Sequence, residues 1–338
     1  MKALIIGGTG TISSAVTRLV AQSKDWELYL FNRGNNLDEV PENVKIIKGD
    51  ITNEAEAAEL LEGMQFDCVA DFTGREPEQA ARDINLFTGK TKQFIFVSTA
   101  AIYHTPPTQP FITEGMLTKN PYWDYAKNKI ECERLMLEAF REHGFPVTIV
   151  RPSHTYSENM IPFCLQPEES WPVIKRMLEG KPIIMPGDGS SLWTITFNED
   201  FAKGFVGLMG NQHAIGEAVH ITTDELLTWD QMAQAVADEL NVEYKPYYIP
   251  TDALVKMKSE LYGPLNGDKR HSVIYDNTKI KRLVPDYCAT ISWRVGVHRA
   301  IKKIMVTPKL RVEDPEFDRW SDQVIEIYEE ALNKACKL

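Results

Sequence analysis

Apolar residues near the start of the chain come in short dense runs, separated by stretches in which they recur every three or four positions. The runs are Ala3 to Ile6, Trp26 to Phe31, Val44 to Lys48, Cys68 to Phe72, Gln93 to Ser98 and Pro146 to Val150. Their β-branched and aromatic content predicts strands. Phe94 to Val97 has no polar position at all, as expected of a strand covered on both faces. Between the runs, Ser13 to Gln22 puts Val16, Leu19 and Val20 on one helical face, and Asp124 to Glu142 reads as a long helix stopped by Gly144. Strand and helix in alternation predict a parallel sheet with crossover helices on both faces.

After Arg151-Pro152 the alternation loosens, with longer loops and more prolines. Lys181 to Met185 and Val219 to Thr222 have strand character, and Asn198 to Gly210 has helical character. Thr228 to Glu239 and Asp318 to Ala335 show the spacing of packed amphipathic helices. The expected fold class is α/β, a Rossmann-type doubly wound parallel sheet with a smaller, interleaved C-terminal domain.

Composition narrows the function classes. The chain of 338 residues is 43% apolar and 25% charged, enough for a sizeable core. Its net charge, 37 − 48 = −11, argues against nucleic acid as a partner, because phosphate backbones are held by basic faces. No apolar run reaches the roughly 18 residues of a membrane span, and the stretch from Met1 to Gly7 is too short for a signal peptide, so cytoplasmic residence is expected. The five cysteines are scattered and form no CxxC pair, and the seven histidines lack ligand spacing. Neither a disulfide framework nor a metal site is expected.

Candidate chemistry begins at Gly7-Gly8-Thr9-Gly10-Thr11-Ile12-Ser13. Gly7, Gly10 and Ser13 occupy GxxGxxG positions between the first strand and first helix, where backbone N–H groups can approach a pyrophosphate. A dinucleotide domain usually puts a carboxylate about 20 residues on, against the ribose 2′-hydroxyl. Asn32-Arg33 stands there instead, so NADP(H) is favoured over NAD(H), with Arg33 available to a 2′-phosphate. The dinucleotide-binding domain is expected over residues 1–155, with 181–215 returning to it. Residues 156–180 and 216–338 are expected to be mainly substrate-binding.

Tyr125 and Lys129 lie one helical turn apart. A tyrosine has a pKa of about 10 in water, and a neighbouring ammonium favours its phenolate. Tyr275 and Lys279 have the same spacing. Position distinguishes the two pairs, because only Tyr125 follows the fifth strand and Thr99 on a helix.

The ordered set of these pieces resembles the extended short-chain dehydrogenase/reductase family, the NAD(P)-dependent epimerase/dehydratase group. To those already named it adds Gly49-Asp50-Ile51, Val97-Ser98-Thr99-Ala100-Ala101-Ile102-Tyr103, Arg151-Pro152-Ser153-His154-Thr155-Tyr156, Gly187-Asp188-Gly189 and Asp276-Asn277-Thr278-Lys279. The resemblance implies Thr99, Tyr125 and Lys129 as catalytic residues. It implies a cofactor site of Gly7, Thr9, Gly10, Thr11, Ile12, Asn32, Arg33, Asp50, Ile51, Phe72, Thr73, Tyr125, Lys129, Pro152 and Ser153. Asp50 and Ile51 would contact adenine, and Phe72 with Thr73 would line the ribose and nicotinamide side. Dimerisation through Rossmann-side helices is a further expectation of the resemblance.

Departures from the family pattern bear on the substrate. Ala100 and Ala101 stand where 4,6-dehydratases of the family carry an Asp-Glu pair, and alanines have no acid or base with which to eliminate water. His154 and Trp193 stand where members that bind nucleotide sugars commonly have Asn and Arg, and Trp does not replace a bidentate guanidinium. Ala100, His154 and Trp193 are the candidate substrate residues, Trp193 being read equally as a stacking platform or a core aromatic. The expected activity is that of an NAD(P)-dependent oxidoreductase or epimerase acting on a hydroxyl or ketone of a sugar-like substrate. The alternative is a cofactor-sensing or RNA-associated protein, since Leu30-Phe31-Asn32-Arg33-Gly34 is also similar to the chloroplast stem-loop RNA-binding branch of this superfamily.

Overall fold

The computed structural model describes residues 1–35, 37–166 and 168–338. The chain divides into two compact units. The first comprises Met1–Thr155, Thr194–Asp224 and Val273–Thr290, and the second comprises Tyr156–Trp193, Glu225–Ser272 and Ile291–Leu338.

The first unit is built on a sheet of seven strands: β1 (Lys2–Ile6), β2 (Glu27–Asn32), β3 (Lys45–Lys48), β4 (Cys68–Asp71), β5 (Phe94–Val97), β6 (Val147–Pro152) and β7 (Ala218–Ile221). Their order is β7-β6-β5-β4-β1-β2-β3 and every pairing is parallel. The switch point of this doubly wound order lies between β1 and β4, which pair Ile6 with Asp71. Open sheets of this kind bind ligands beyond the carboxyl ends of the strands at that crevice.

Strand periodicity decides which side chains cover which face. Ala3, Ile5, Cys68, Ala70, Ile95 and Val97 point to one face, where they meet Val16 and Val20 of α1 (Ser13–Gln22). Leu4, Ile6, Val69, Phe94 and Phe96 point to the other. They pack there on α2 (Glu54–Leu60), α3 (Pro77–Phe87) and α4 (Asp124–His143), through residues that include Ala57, Phe87 and Met136. Gly144 ends α4 in the left-handed region, φ +70°, a conformation that suits glycine.

The expected division needs two corrections. The return to the first unit runs over 194–224 rather than 181–215, because β7 hydrogen-bonds along β6 and α5 (Asn198–Leu208) contributes Phe201 and Phe205 to the α1 face. Val273–Thr290, expected among the substrate-binding residues, also belongs to the first unit. Its Ile274–Tyr275 pairs with Phe111–Ile112, and Lys279 bonds to the Ala218 carbonyl.

In the second unit, Ile183–Pro186 pairs with Pro246–Ile249 in parallel, and Leu192–Trp193 pairs with Leu227–Thr228 antiparallel. Arg176 is buried there on the carbonyl of Pro182 and the carboxylate of Asp318. No helix among the described residues is long and apolar enough to cross a membrane.

Candidate active site

The glycine-rich loop leaves β1 at the switch point. Gly7 has φ +73°, and a Cβ there would fall 2.4 Å from Thr73 Cγ2, so both conformation and space call for glycine. Ser13, in place of the third glycine, closes the turn on itself. Its hydroxyl donates to Gly7 O at 2.6 Å and accepts from the Gly10 N–H at 2.9 Å. Thr17 Oγ1 donates to Gly8 O (2.7 Å), and Asn198 Nδ2 holds Thr11 O (2.8 Å). Thr9 and Ile12 complete the loop, and Ile12 gives α1 no side-chain cap; the first turn of α1 also carries no acidic residue. A cradle without a Cβ, opening on uncapped helix N–H groups, fits the pyrophosphate of a dinucleotide.

The other residues expected to hold the cofactor lie along the same strand ends. Asn32 closes β2 and its carbonyl accepts from the Gly49 N–H (3.1 Å), while Arg33 is exposed beside it. Asp50 Oδ1 accepts from the Thr52 N–H (3.0 Å) and hydroxyl (2.7 Å), which holds its carboxyl below the usual range. Ile51 is buried on the α2 face. Thr73 donates from its N–H (2.7 Å) and hydroxyl (2.6 Å) to Asp71 Oδ1, whereas the Phe72 ring turns to the core against Phe205, 5.0 Å between centroids. Pro152 ends β6. Ser153, 9% exposed, has a hydroxyl with no hydrogen-bond partner among the described residues.

Thr99 follows β5 in extended conformation, and its hydroxyl accepts from the Ala101 N–H at 3.2 Å, capping a single 3-10 turn, Ala100–Ile102. Tyr125 stands in the first turn of α4, half-buried, its ring 5.0 Å from that of Trp123. One turn on, Lys129 is 4% exposed. Its Nζ donates to Gly74 O (2.5 Å) and Val97 O (2.6 Å) and lies 4.8 Å from the Phe96 ring centroid. Burial pushes this ammonium down to about 8, with the Asp71 charge the main opposing influence. The lysine thus ties α4 to the ends of β4 and β5, two residues before Thr99. The pair of equal spacing is placed differently: Tyr275 is buried beside Tyr103, and Lys279 Nζ is paired with Glu217 at 2.8 Å.

Two buried polar groups near these residues were not read from the sequence. Behind the Thr99 loop, Tyr103 Oη and His220 Nε2 are 2.5 Å apart and Arg151 Nη1 donates to the same Oη at 2.9 Å. Arg151 is fixed by two bonds to Glu133, 3.0 and 2.6 Å. His220 Nδ1 is 3.0 Å from the Asp276 carbonyl, which requires a proton on Nδ1 and leaves Nε2 to accept from the tyrosine. Burial pushes His220 down to about 4. The second group, at the end of β4, comprises Asp71, Arg82 and Asp83. Tyr103 and Arg151 both stand in the motifs quoted from the sequence, but nothing along the chain joins them to each other or to His220, and nothing joins Asp71 to Arg82 and Asp83.

Of the candidate substrate residues, Ala100 is buried in the 3-10 turn and His154 is half-buried after β6. Trp193 belongs to the second unit, where it is 3% exposed and stacked on Trp229 with 4.8 Å between ring centroids.

Comparison with known proteins follows the same lines. The model of the NAD dependent epimerase/dehydratase family matches residues 3–222. The chloroplast stem-loop binding protein of 41 kDa b from Arabidopsis thaliana is 26% identical over 249 residues, 70% of this chain and 62% of that protein. A trifunctional UDP-glucose 4,6-dehydratase/UDP-4-keto-6-deoxy-D-glucose 3,5-epimerase/UDP-4-keto-L-rhamnose-reductase of the same plant is 27% identical over 354 aligned positions, covering 94% of this chain and 48% of that protein. The chain therefore spans about half to three-fifths of these two curated relatives. Among solved structures, UDP-glucuronic acid 4-epimerase from Bacillus cereus in complex with NAD superposes with TM-score 0.73 at 19% identity, covering 92% of this chain and all of that one. This last likeness is one of fold.

Proposed function

Because the chain belongs to the NAD dependent epimerase/dehydratase family, we propose that it is an enzyme of the extended short-chain dehydrogenase/reductase type that oxidises or reduces a hydroxyl or ketone carbon of a sugar or sugar-like substrate. The observation that carries the reading is the placement of Lys129, one turn from Tyr125 and buried on the carbonyls of Gly74 and of Val97, the residue two before Thr99. A bound nicotinamide dinucleotide supplies the hydride donor or acceptor. Tyr125 takes the proton from the substrate hydroxyl or returns it to the oxygen. Lys129 favours the phenolate with its charge, and Thr99 donates a hydrogen bond to the reacting oxygen as charge grows there. Changing Tyr125 to Phe is expected to abolish turnover while cofactor affinity stays within about twofold, since general acid–base groups contribute roughly 10²–10⁴ in rate. Unchanged turnover would refute the assignment.

Asn32 and the exposed Arg33 favour NADP(H), whereas the structural relative from Bacillus cereus was solved with NAD. Dissociation constants for both dinucleotides decide between them, tighter NAD binding removing the inference from Arg33. Ala100 and Ala101, both buried and without a titratable group, argue against 4,6-dehydration. No 4-keto-6-deoxy product should form from UDP-glucose, and its appearance would overturn that reading. Mass spectrometry of a small molecule retained on purification identifies the substrate class, a nucleotide sugar showing that other residues replace the pyrophosphate-binding arginine. A second reading, RNA association, is favoured by the plant stem-loop binding relative and opposed by the −11 charge. Salt-sensitive gel shifts of a stem-loop RNA, with no turnover of any sugar, would reverse the order.

A further inference from the structure

The carboxyl end of β4 holds two acids that the proposed redox step does not use. Asp71 and Asp83 are both fully buried. Arg82 serves them from α3, its Nε and Nη2 donating to Asp83 Oδ1 at 2.9 and 2.6 Å and its Nη2 lying 3.5 Å from Asp71 Oδ2. Asp71 Oδ1 is filled by the Thr73 N–H and hydroxyl. One oxygen of each acid remains, Asp71 Oδ2 and Asp83 Oδ2, and neither accepts a hydrogen bond from the described residues, the Arg82 approach to Asp71 Oδ2 being an ion pair only. Both face the same backbone, for a Cβ on Gly74 would lie 2.8 Å from the first and 3.8 Å from the second. Buried carboxylate oxygens left without donors are costly, and one proton shared by the two acids would relieve both. The carbonyl of that same Gly74 accepts from Lys129.

We propose that Asp71 and Asp83 share one proton and act as a positioning pair for Lys129, their one remaining negative charge keeping its ammonium protonated beside Tyr125. The inference rests on the reading of Tyr125 and Lys129 as the acid–base pair. It agrees with Asp83 standing well above the usual carboxylate range through burial and then through Asp71. It also agrees with Asp71 being the largest charge that opposes the effect of burial on Lys129. The other groups that act on Lys129 are Cys132 and Glu133 from its own helix and Arg75 from the loop after β4, the first two raising its pKa and the arginine lowering it.

The test is NMR titration of the 338-residue chain labelled with ¹³Cε-lysine, the Lys129 signal being assigned by its loss in Lys129→Met. Asp83→Asn replaces a neutral acid by a neutral amide and should leave the Lys129 titration where it is. The double variant Asp71→Asn/Asp83→Asn removes the negative charge and leaves the Arg82 guanidinium unpaired, and should lower that titration by about one pH unit or more. The alkaline limb of the kcat profile should move down with it, a change that loss of fold alone would not produce. Equal titration in the double variant and Asp83→Asn, or a shift in Asp83→Asn as large as in the double variant, would overturn the proposal. If the double variant does not fold, ¹³C-carboxyl titration of the wild type decides, with one of the two acids still protonated at pH 7 expected and both ionised overturning it. None of these titrations needs turnover. An active Tyr125→Phe variant would therefore remove the acid–base reading while the coupling between Lys129 and the carboxyl pair is measured independently.

Discussion

Replacing Lys129 by Met should cost the enzyme its chemistry and, at neutral pH, relieve the fold of a buried charge. The ammonium, whose ordinary pKa is about 10.5, is pushed down to about 8 in the folded protein by burial. At about 1.4 kcal/mol per pH unit, the fold bears roughly 3 kcal/mol for holding the charge at neutral pH. The folded pKa lies below the unfolded one, so this cost is fully present below pH 8. It is relieved between pH 8 and 10.5, where the folded protein releases its proton before the unfolded chain does. Methionine fills similar volume and carries no such cost, but it leaves the carbonyls of Gly74 and Val97 without their donor, at about 1–3 kcal/mol each. The sign of the difference at a single pH therefore depends on how those carbonyls relax, whereas its pH dependence comes from the charge alone. Urea denaturation of both proteins at pH 7 and pH 10 should show the wild type gaining about 2 to 3 kcal/mol relative to the variant between the two. Turnover of the variant should fall by roughly 10²-fold or more. A stability difference that does not change with pH would show that Lys129 is not held as a buried ammonium, and the electrostatic account of Tyr125 would fall with it.

Other expectations follow from the same geometry. Ser13→Ala removes the hydroxyl that bonds both Gly7 and Gly10; it should lower stability by about 1 to 2 kcal/mol and weaken dinucleotide binding in a fluorescence titration, undiminished affinity counting against the loop as the phosphate cradle. Thr99→Ala should reduce kcat by about 10²-fold with Thr99→Ser restoring most of it, and equal rates for Ala and Ser would deny the hydroxyl a role. His220 is held near 4 by burial, so as pH falls from about 6.5 toward 4 the unfolded chain takes up a proton that the folded one refuses, and stability declines. His220→Gln should flatten that decline in acid denaturation curves, and an unchanged slope would exclude His220 as its source.

Much of the candidate site can be read from the sequence alone, because its elements are local. The loop from Gly7 to Ser13 sits between an apolar run and an amphipathic helix, and the turn from Tyr125 to Lys129 needs only helical spacing to share a face. Thr99 follows a strand that nothing polar interrupts. The alternative pair at Tyr275 and Lys279 matched in spacing and differed in surroundings, since Lys279 is paired with Glu217.

Sequence by itself determined the first six strands, the helices α1 and α4 and the order of the chemical groups along the chain, because the spacing of apolar positions records burial within each segment, whereas α2 and α3 were not read from it. Only the tertiary structure decided which distant segments join. Residues 218–221 became the seventh strand by pairing with β6, and 273–290 returned to the same unit through the short pairing with Phe111–Ile112. The tertiary structure also decided the fate of charge. Asp71 lies in an apolar run that predicts a strand, and nothing in the sequence singles out Arg82 and Asp83, yet the three are buried and both acids approach Gly74. Burial of a charged group depends on partners brought from other segments, and no local period reports it.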